Sequence, residues 1–166
     1  MKAYIGLGSN LGDREGMIRE AIQSIAALPE TTLGRVSSLY DTEPVGELEQ
    51  PNFLNAVIAV DTELTARRLL WNLMLIERQL GRVRAPKSRY GPRTIDLDML
   101  FFGDLVLDEP ELQLPHPEVA NRAFVLIPLA ELEPTLMHPV LGETVVNLLA
   151  RLKARPGVRR MSRLQD

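Results

Sequence analysis

The 166-residue chain has no cysteine, and aromatic residues make up only 5% of it. The missing cysteines remove disulfides, thiolate catalysis and Cys-based zinc sites in one step, and they suit a reducing compartment. Long apolar runs are absent as well: Phe53–Val60 and Phe124–Ala130 fall far short of the ~20 residues a membrane helix needs. Met1-Lys2-Ala3-Tyr4-Ile5 leads straight into a strand-like segment, without the basic, apolar and cleavage-site succession of a secretory leader. A soluble protein of the cytoplasm is expected. There is no excess of positive charge, and the net charge of −3 argues against a general nucleic-acid coat. What remains is 45% hydrophobic and 25% charged residues, the profile of a globular fold. No repeat or low-complexity linker divides it, so one domain is expected over residues 1–166.

Hydrophobic periodicity orders the chain. Ala3–Gly8 reads as a buried strand, and Asn10 or Asp13 then caps a helix whose stripe is Met17, Ile18, Ala21, Ile22, Ile25 and Leu28. A second strand is expected over Leu33–Thr42. A third, Phe53–Thr62, is nearly continuous in apolar residues and belongs in the middle of a sheet. Thr65 caps a second helix carrying Leu69, Leu70, Leu73, Ile76 and Leu80, which Gly81 ends. Arg82–Arg93 has no apolar period and reads as a loop. Thr94–Phe102 is a strand, with Gly103-Asp104 turning it into a hairpin with Leu105–Leu107. A helical segment interrupted by Pro128 runs toward Glu131, a last helix covers about Glu143–Ala154, and residues 155–166 form a loose basic tail. Two successive strands with no helix between them favour an α+β, ferredoxin-like βαββαβ core over a doubly wound parallel sheet. The sheet is then mainly antiparallel and covered by helices, with a C-terminal hairpin and helix added.

Gly6-Leu-Gly8-Ser-Asn-Leu-Gly12 stands where a dinucleotide fingerprint would, but its third glycine falls one position late and no Gly-Lys-Ser/Thr follows. It reads as a tight strand-to-helix turn. Asp96 and Asp98 carry more information. Strand alternation puts Ile95, Leu97, Met99 and Phe101 on one face and both carboxylates on the other. Like charges side by side repel, and magnesium would resolve the conflict by taking one or two carboxylates plus substrate phosphates. Spacing alone leaves this reading level with carboxylates that face solvent or pair with arginines. The preceding loop shifts the balance, because Arg82–Arg93 holds five cations and no anion. Cations beside a carboxylate–metal centre neutralise the oxygens of a transferring phosphoryl group. Phe53 and Asn55 share a strand face and together suit a flat heterocycle, which a ring stacks on and an amide reads; taken alone, a core Phe and a satisfied Asn are the commoner reading. His116 lies between two prolines, shortly before Arg122 and Phe124. The only other histidine, His138, has no metal-ligand spacing to it.

Taken together, Gly8-Ser-Asn-Leu-Gly, Gln50-Pro-Asn-Phe-Leu-Asn-Ala, Gly81-Arg-Val-Arg, Tyr90-Gly-Pro-Arg-Thr-Ile-Asp-Leu-Asp-Met-Leu, Leu114-Pro-His-Pro and Asn121-Arg-Ala-Phe-Val-Leu make the chain resemble the hydroxymethyl-dihydropterin pyrophosphokinases of folate biosynthesis. The resemblance implies pyrophosphoryl transfer from ATP to the hydroxymethyl group of a reduced pterin, with release of AMP. It implies two Mg2+ ions on Asp96 and Asp98, and assistance to transfer from Arg82 and Arg93. ATP contacts would come from Glu77, Arg84, Met99, His116 and Arg122. Phe53 and Phe124 would sandwich the pterin, with Thr42, Asn55 and the Pro44, Val45 and Gly46 segment reading its edge. It further implies a monomer with small-molecule substrates and no nucleic-acid or membrane partner. Met74, Tyr90 and Pro117 depart from the pattern and bear on ATP affinity. Two other readings stand beside this one. A non-catalytic ferredoxin-like module would draw on tail cations such as Arg159 and Arg160, and a Rossmann-type oxidoreductase is opposed by the glycine spacing.

Overall fold

The computed structural model describes residues 1–44, 49–81, 95–152 and 157–164. In chain order these form β1 (Lys2–Ser9), α1 (Arg14–Ala26), β2 (Thr31–Val36), β3 (Ser38–Thr42), β4 (Phe53–Thr62), α2 (Ala66–Gln79) and β5 (Asp96–Phe102). They continue with β6 (Leu107–Asp108), β7 (Gln113–Leu114), a 3-10 turn (Val119–Asn121), α3 (Ala123–Leu132), α4 (Val145–Arg151) and β8 (Val158–Arg163). One sheet runs β5-β1-β4-β3-β8, with β2 also on β4, and every pairing is antiparallel. Counting β2 and β3 as one strand, the order is that of the expected ferredoxin-like core. Among the described residues no helix is long and apolar enough to cross a membrane.

Local chemistry explains the element starts. Asp13 Oδ1 accepts the Gly16 N–H at 3.0 Å, and Thr65 Oγ1 accepts the Arg68 N–H at 3.2 Å, so each satisfies a donor that a helix start leaves orphaned. Period-2 alternation divides β1 and β4 between two cores. Ala3, Ile5 and Leu7 with Leu54, Ala56, Ile58 and Val60 meet Ile18 and Ile25 of α1 and Leu69 and Leu73 of α2. On the opposite face Tyr4, Val57, Ala59 and Phe101 meet Leu126 and Leu129 of α3 and Val145 of α4. A strand buried on both faces must be apolar throughout, as β4 is.

Five expectations need correction. Phe101 does not share a face with Ile95, Leu97 and Met99: a register shift opposite Tyr4 and Ile5 turns it into the other core, with Leu100 under α3 and α4. The strand over Leu33–Thr42 is broken at Ser37, where the backbone N–H donates to Val57 C=O and the buried hydroxyl accepts the Val57 N–H, each at 2.9 Å. A side chain there does the work of a ladder carbonyl, and β2 and β3 pair with different stretches of β4. Gly103 does turn the chain, with φ 54°, but its N–H goes to Lys2 C=O, and β6 pairs with β7 rather than folding back on β5. The last helix is shorter than expected, Val145–Arg151, capped by Thr144. Within the expected tail, Val158–Arg163 is ordered as an edge strand paired with β3.

His138 anchors the loop ahead of α4. It is 6% exposed, its Nδ1 accepts the N–H groups of Val140 and Leu141 at 3.2 and 3.1 Å, and its ring stands edge-on to Phe101. Burial pushes its pKa below the ordinary 6.5, so the folded protein keeps the ring neutral while the unfolded chain takes up a proton. The stability from this site is complete above about pH 6.5 and is lost as pH falls below it toward the depressed folded value. Denaturant titrations at pH 8 and pH 5.5 should show a larger acid-side loss for the natural chain than for His138→Asn. Equal losses would contradict this assignment.

Candidate active site

The sheet face under α3 is apolar over only part of its length. Continuing the same faces of the strands beyond Tyr4, Val57 and Leu100 gives Gly6 and Gly8 on β1, Phe53 and Asn55 on β4, and Asp96 and Asp98 on β5. Thr42 follows Tyr40 on the same face of β3. Register places these residues directly opposite one another. Asp96 opposes Gly8, Gly8 opposes Asn55 and Asn55 opposes Tyr40, while Asp98 opposes Gly6 and Phe53 opposes Thr42. One row therefore crosses four strands as carboxylate, glycine, amide and phenol. Two strand spacings, roughly 10 Å, separate the carboxylate strand from the amide strand. The strand between them contributes no side chain at Gly6 or Gly8, which leaves a trough with a backbone floor.

The amide end is rigid. Asn55 Nδ2 donates to Thr42 Oγ1 at 2.6 Å, and the two residues are 8% and 2% exposed. The Asn55 carbonyl leans over the floor: a Cβ on Gly8 would lie 2.8 Å from Asn55 Oδ1 and 3.7 Å from the Phe53 ring, whereas one on Gly6 would meet only Leu100 at an ordinary 3.5 Å. Phe53 is half-buried beside them. Across the trough Arg122 and Phe124 open α3, with the guanidinium carbon 5.6 Å from the Phe124 ring centre, a cation–π distance.

The carboxylate end is shaped by its position on an edge strand. Backbone groups of β5 that face away from β1 need other partners. Glu77, on α2 and only 3% exposed, accepts the Leu97 N–H at 2.9 Å, between the two aspartates. The His116 N–H donates to Leu100 C=O at 2.9 Å, and His116 Nδ1 accepts the Glu118 N–H at 3.1 Å. A neutral His116 consequently carries its proton on Nε2, a donor suited to a phosphate oxygen. Asp96 and Asp98 are both partly exposed. Two hard oxygen donors on one face, above a floor without side chains, fit magnesium, which takes one or two carboxylates and completes its shell with waters and substrate oxygens. No group of three or more metal-ligating side chains occurs among the described residues.

The structure thus brings together Thr42, Phe53, Asn55, Asp96 and Asp98 on one face, with Arg122 and Phe124 at the start of α3 and His116 at the β5 edge. It does not bring the Met99 side chain to them: Met99 is buried with Leu97 in the core against α1 and α2. Pro44 lies two residues past the end of β3 and is partly exposed. Val45, Gly46, Arg82, Arg84 and Arg93 lie outside the described residues. Of the departures from the pattern, Met74 is 40% exposed on α2 and Pro117 is exposed. Asn10 does not cap α1, a role that Asp13 fills, but positions the chain ahead of β4. Buried to 1%, its amide donates to Gln50 Oε1 at 2.8 Å and Pro51 C=O at 3.0 Å. Arg14 adds a bond to Asn52 C=O at 2.8 Å, so the turn after β1 holds the approach to Phe53. An Asn in the glycine turn, opposite the Gln50-Pro-Asn segment, was the available signal.

These features define an α+β protein with a ferredoxin-like sheet and a polar trough across it. A model of the family described as 7,8-dihydro-6-hydroxymethylpterin-pyrophosphokinase (HPPK) matches residues 4–134. The chain is 48% identical over 149 residues to the 2-amino-4-hydroxy-6-hydroxymethyldihydropteridine pyrophosphokinase of Pseudomonas aeruginosa, covering 90% of both. To the protein of the same name from Methylorubrum extorquens it is 46% identical over 151 residues, 91% of this chain and 93% of that one. The chain belongs to the HPPK family. Among solved structures it superposes on wild-type Plasmodium falciparum HPPK-DHPS with pteroate at a TM-score of 0.65 and 19% identity, covering 90% of this chain and 42% of that one. An HPPK-DHPS in complex with substrates gives a TM-score of 0.68 at 13% identity, again 90% and 42%. The chain spans less than half of those longer proteins, and at such identities the likeness concerns the fold.

Gly8→Ala tests the floor. The added methyl displaces an Asn55 amide that Thr42 holds, so the variant should lose about 1–3 kcal/mol, roughly 2–4 °C of Tm per kcal/mol. Gly6→Ala should melt like the natural chain. Equal melting of all three would contradict the close approach.

Proposed function

We propose that this chain transfers a pyrophosphoryl group from ATP to the hydroxymethyl group of 6-hydroxymethyl-7,8-dihydropterin, releasing AMP, in folate biosynthesis. The observation that carries the reading is the single cross-strand row in which the Asp96 carboxylate and the Asn55 amide face each other across Gly8. A nucleotide triphosphate with its metal suits one end, and a flat heterocycle with donor and acceptor edges suits the other. Family membership and the names of the curated relatives support the choice of substrates.

On this reading the pterin lies between Phe53 and Phe124. Its polar edge meets Asn55 and Thr42, together with backbone of the Pro44, Val45 and Gly46 segment. The Thr42 hydroxyl, already bonded to Asn55, fixes the amide so that its remaining donor and its carbonyl are set before the ligand arrives; such preorganisation lowers the ordering cost of binding. Asp96 and Asp98 would hold two magnesium ions with the triphosphate, and magnesium there supplies neutralisation of phosphate charge and acidifies the attacking hydroxyl. Arg82 and Arg93 neutralise the oxygens of the moving group, Arg84 contacts the nucleotide, and His116 and Arg122 donate to phosphate oxygens. Glu77 holds the backbone of β5 between the aspartates. Met99, its side chain turned into the core, has only backbone to offer ATP.

The hydroxymethyl oxygen attacks the β-phosphorus, forming a new P–O bond. The bond from that phosphorus to the bridging oxygen on the α side breaks, AMP leaves with that oxygen, and the hydroxyl proton passes to solvent. No side chain among the described residues is assigned as general base. Positioning and charge neutralisation supply the catalysis.

Incubation with ATP, magnesium and 6-hydroxymethyl-7,8-dihydropterin, with chromatography of the nucleotide products, should yield AMP; ADP would refute the reaction. Asp96→Asn and Asp98→Asn should each reduce turnover by at least about a hundredfold while keeping a cooperative melt. A variant that turns over normally would remove the carboxylates from the site.

A further inference from the structure

Strand β8 lies beyond residue 134, where the family match ends, and it is the outermost strand on the β3 side. Its register ties it to the part of β3 that runs toward the trough. Val158 opposes Thr42, Arg159 opposes Asp41 and Arg160 opposes Tyr40. One step further, Gly157 C=O accepts the Glu43 N–H at 3.2 Å.

From β8 Arg160 reaches inward. Its Nε donates to Ser38 Oγ at 3.1 Å, and a terminal guanidinium nitrogen lies 3.9 Å from Glu131 Oε2. Glu131 belongs to α3. Its Oε1 accepts the Ser38 N–H at 2.9 Å and the Tyr40 hydroxyl at 2.7 Å, and its Oε2 accepts Ser38 Oγ at 2.8 Å. Ser38 and Tyr40 are 1% and 6% exposed. Burial pushes the Glu131 carboxyl up, but these hydrogen bonds and the Arg160 charge outweigh it and hold it below the ordinary carboxylate range. Three elements therefore meet on one carboxylate.

Phe124 sits seven residues before Glu131 on α3, two turns away on the same face. Between them Pro128 lacks the N–H that the Phe124 carbonyl would accept. The turn that carries Phe124 is thus one hydrogen bond short within its own helix and relies on whatever seats the rest of α3. On the facing strand, Thr42 lies two residues beyond Tyr40, on the same face.

We propose that Arg160, Glu131, Ser38 and Tyr40 form a brace by which the C-terminal strand sets the spacing between α3 and β3, and with it the gap between Phe124 and the Thr42–Asn55 wall. These are positioning residues, and none of them is assigned a contact with substrate. That the gap holds a pterin rests on the function proposed above; the brace itself does not.

The test uses full-length Arg160→Ala, Glu131→Gln and the double variant. Hydrogen exchange without ligand should show faster exchange at the Val125 and Leu126 amides in each variant, with the α1 and α2 amides unchanged. In steady-state assays KM for the pterin should rise roughly tenfold, the affinity equivalent of one charge-assisted hydrogen bond, with KM for ATP and kcat nearly unchanged. The double variant should be no worse than the poorer single one. Unchanged exchange at Val125 and Leu126 would overturn the brace. So would a lowered melting temperature accompanied by equal losses for both substrates, the mark of a purely structural role. A natural chain that makes no AMP would refute the assigned reaction and leave the exchange result to judge the brace. If Arg160→Ala fails to fold, Glu131→Gln, which keeps an acceptor for Ser38 and Tyr40, carries the same comparison.

Discussion

The candidate site depends on a side chain that is missing. At Gly8 the central part of the sheet offers only backbone between Asp96 on one neighbour and Asn55 on the other. Any methyl there would strike the Asn55 carbonyl. The same sheet face is filled a few residues away by Tyr4, Val57, Ala59 and Phe101 packed under α3 and α4. One face of one sheet is therefore divided between a dry core and a polar trough. The change occurs where alternating positions switch from apolar residues to glycine, amide and carboxylate.

Two kinds of support keep such a surface in shape. At the carboxylate end the edge strand β5 satisfies its outward backbone through Glu77 and His116, so the aspartates stand on a strand whose unpaired side is occupied. An exposed edge would otherwise be free to pair elsewhere. At the amide end the support comes from sequence-distant pieces. Asn10 and Arg14 hold the approach to β4, and Glu131 gathers α3, β3 and Arg160 of β8. Partly buried polar networks of this kind hold their elements in place when their members are satisfied.

Much of this was legible in the chain. The apolar run Phe53–Thr62 marks a central strand with the bounds the structure shows. Local chemistry points to Thr65 as one cap and narrows the other to Asn10 or Asp13, of which the structure uses Asp13, and strand alternation puts the two aspartates on one face. Other features were hidden for physical reasons. Ser37 looks like an ordinary strand serine until its hydroxyl is seen replacing a ladder carbonyl. Strand β8 reads as a solvated tail because its arginines are those of an exposed edge, and the partner of Arg160 lies 122 residues upstream. That Gly8 separates Asp96 from Asn55 follows only from the order β5-β1-β4, which no local pattern in the three segments encodes.

On the proposed function, the two halves of the substrate pair lie at opposite ends of one cross-strand row. The most direct measurement is a crystal structure with magnesium, a non-hydrolysable ATP analogue and 6-hydroxymethyldihydropterin. It should show the pterin against Asn55 and Phe53, metal-bound phosphates against Asp96 and Asp98, and the hydroxymethyl group over Gly8. A pterin seated away from Asn55, or phosphates without metal at the aspartates, would contradict it.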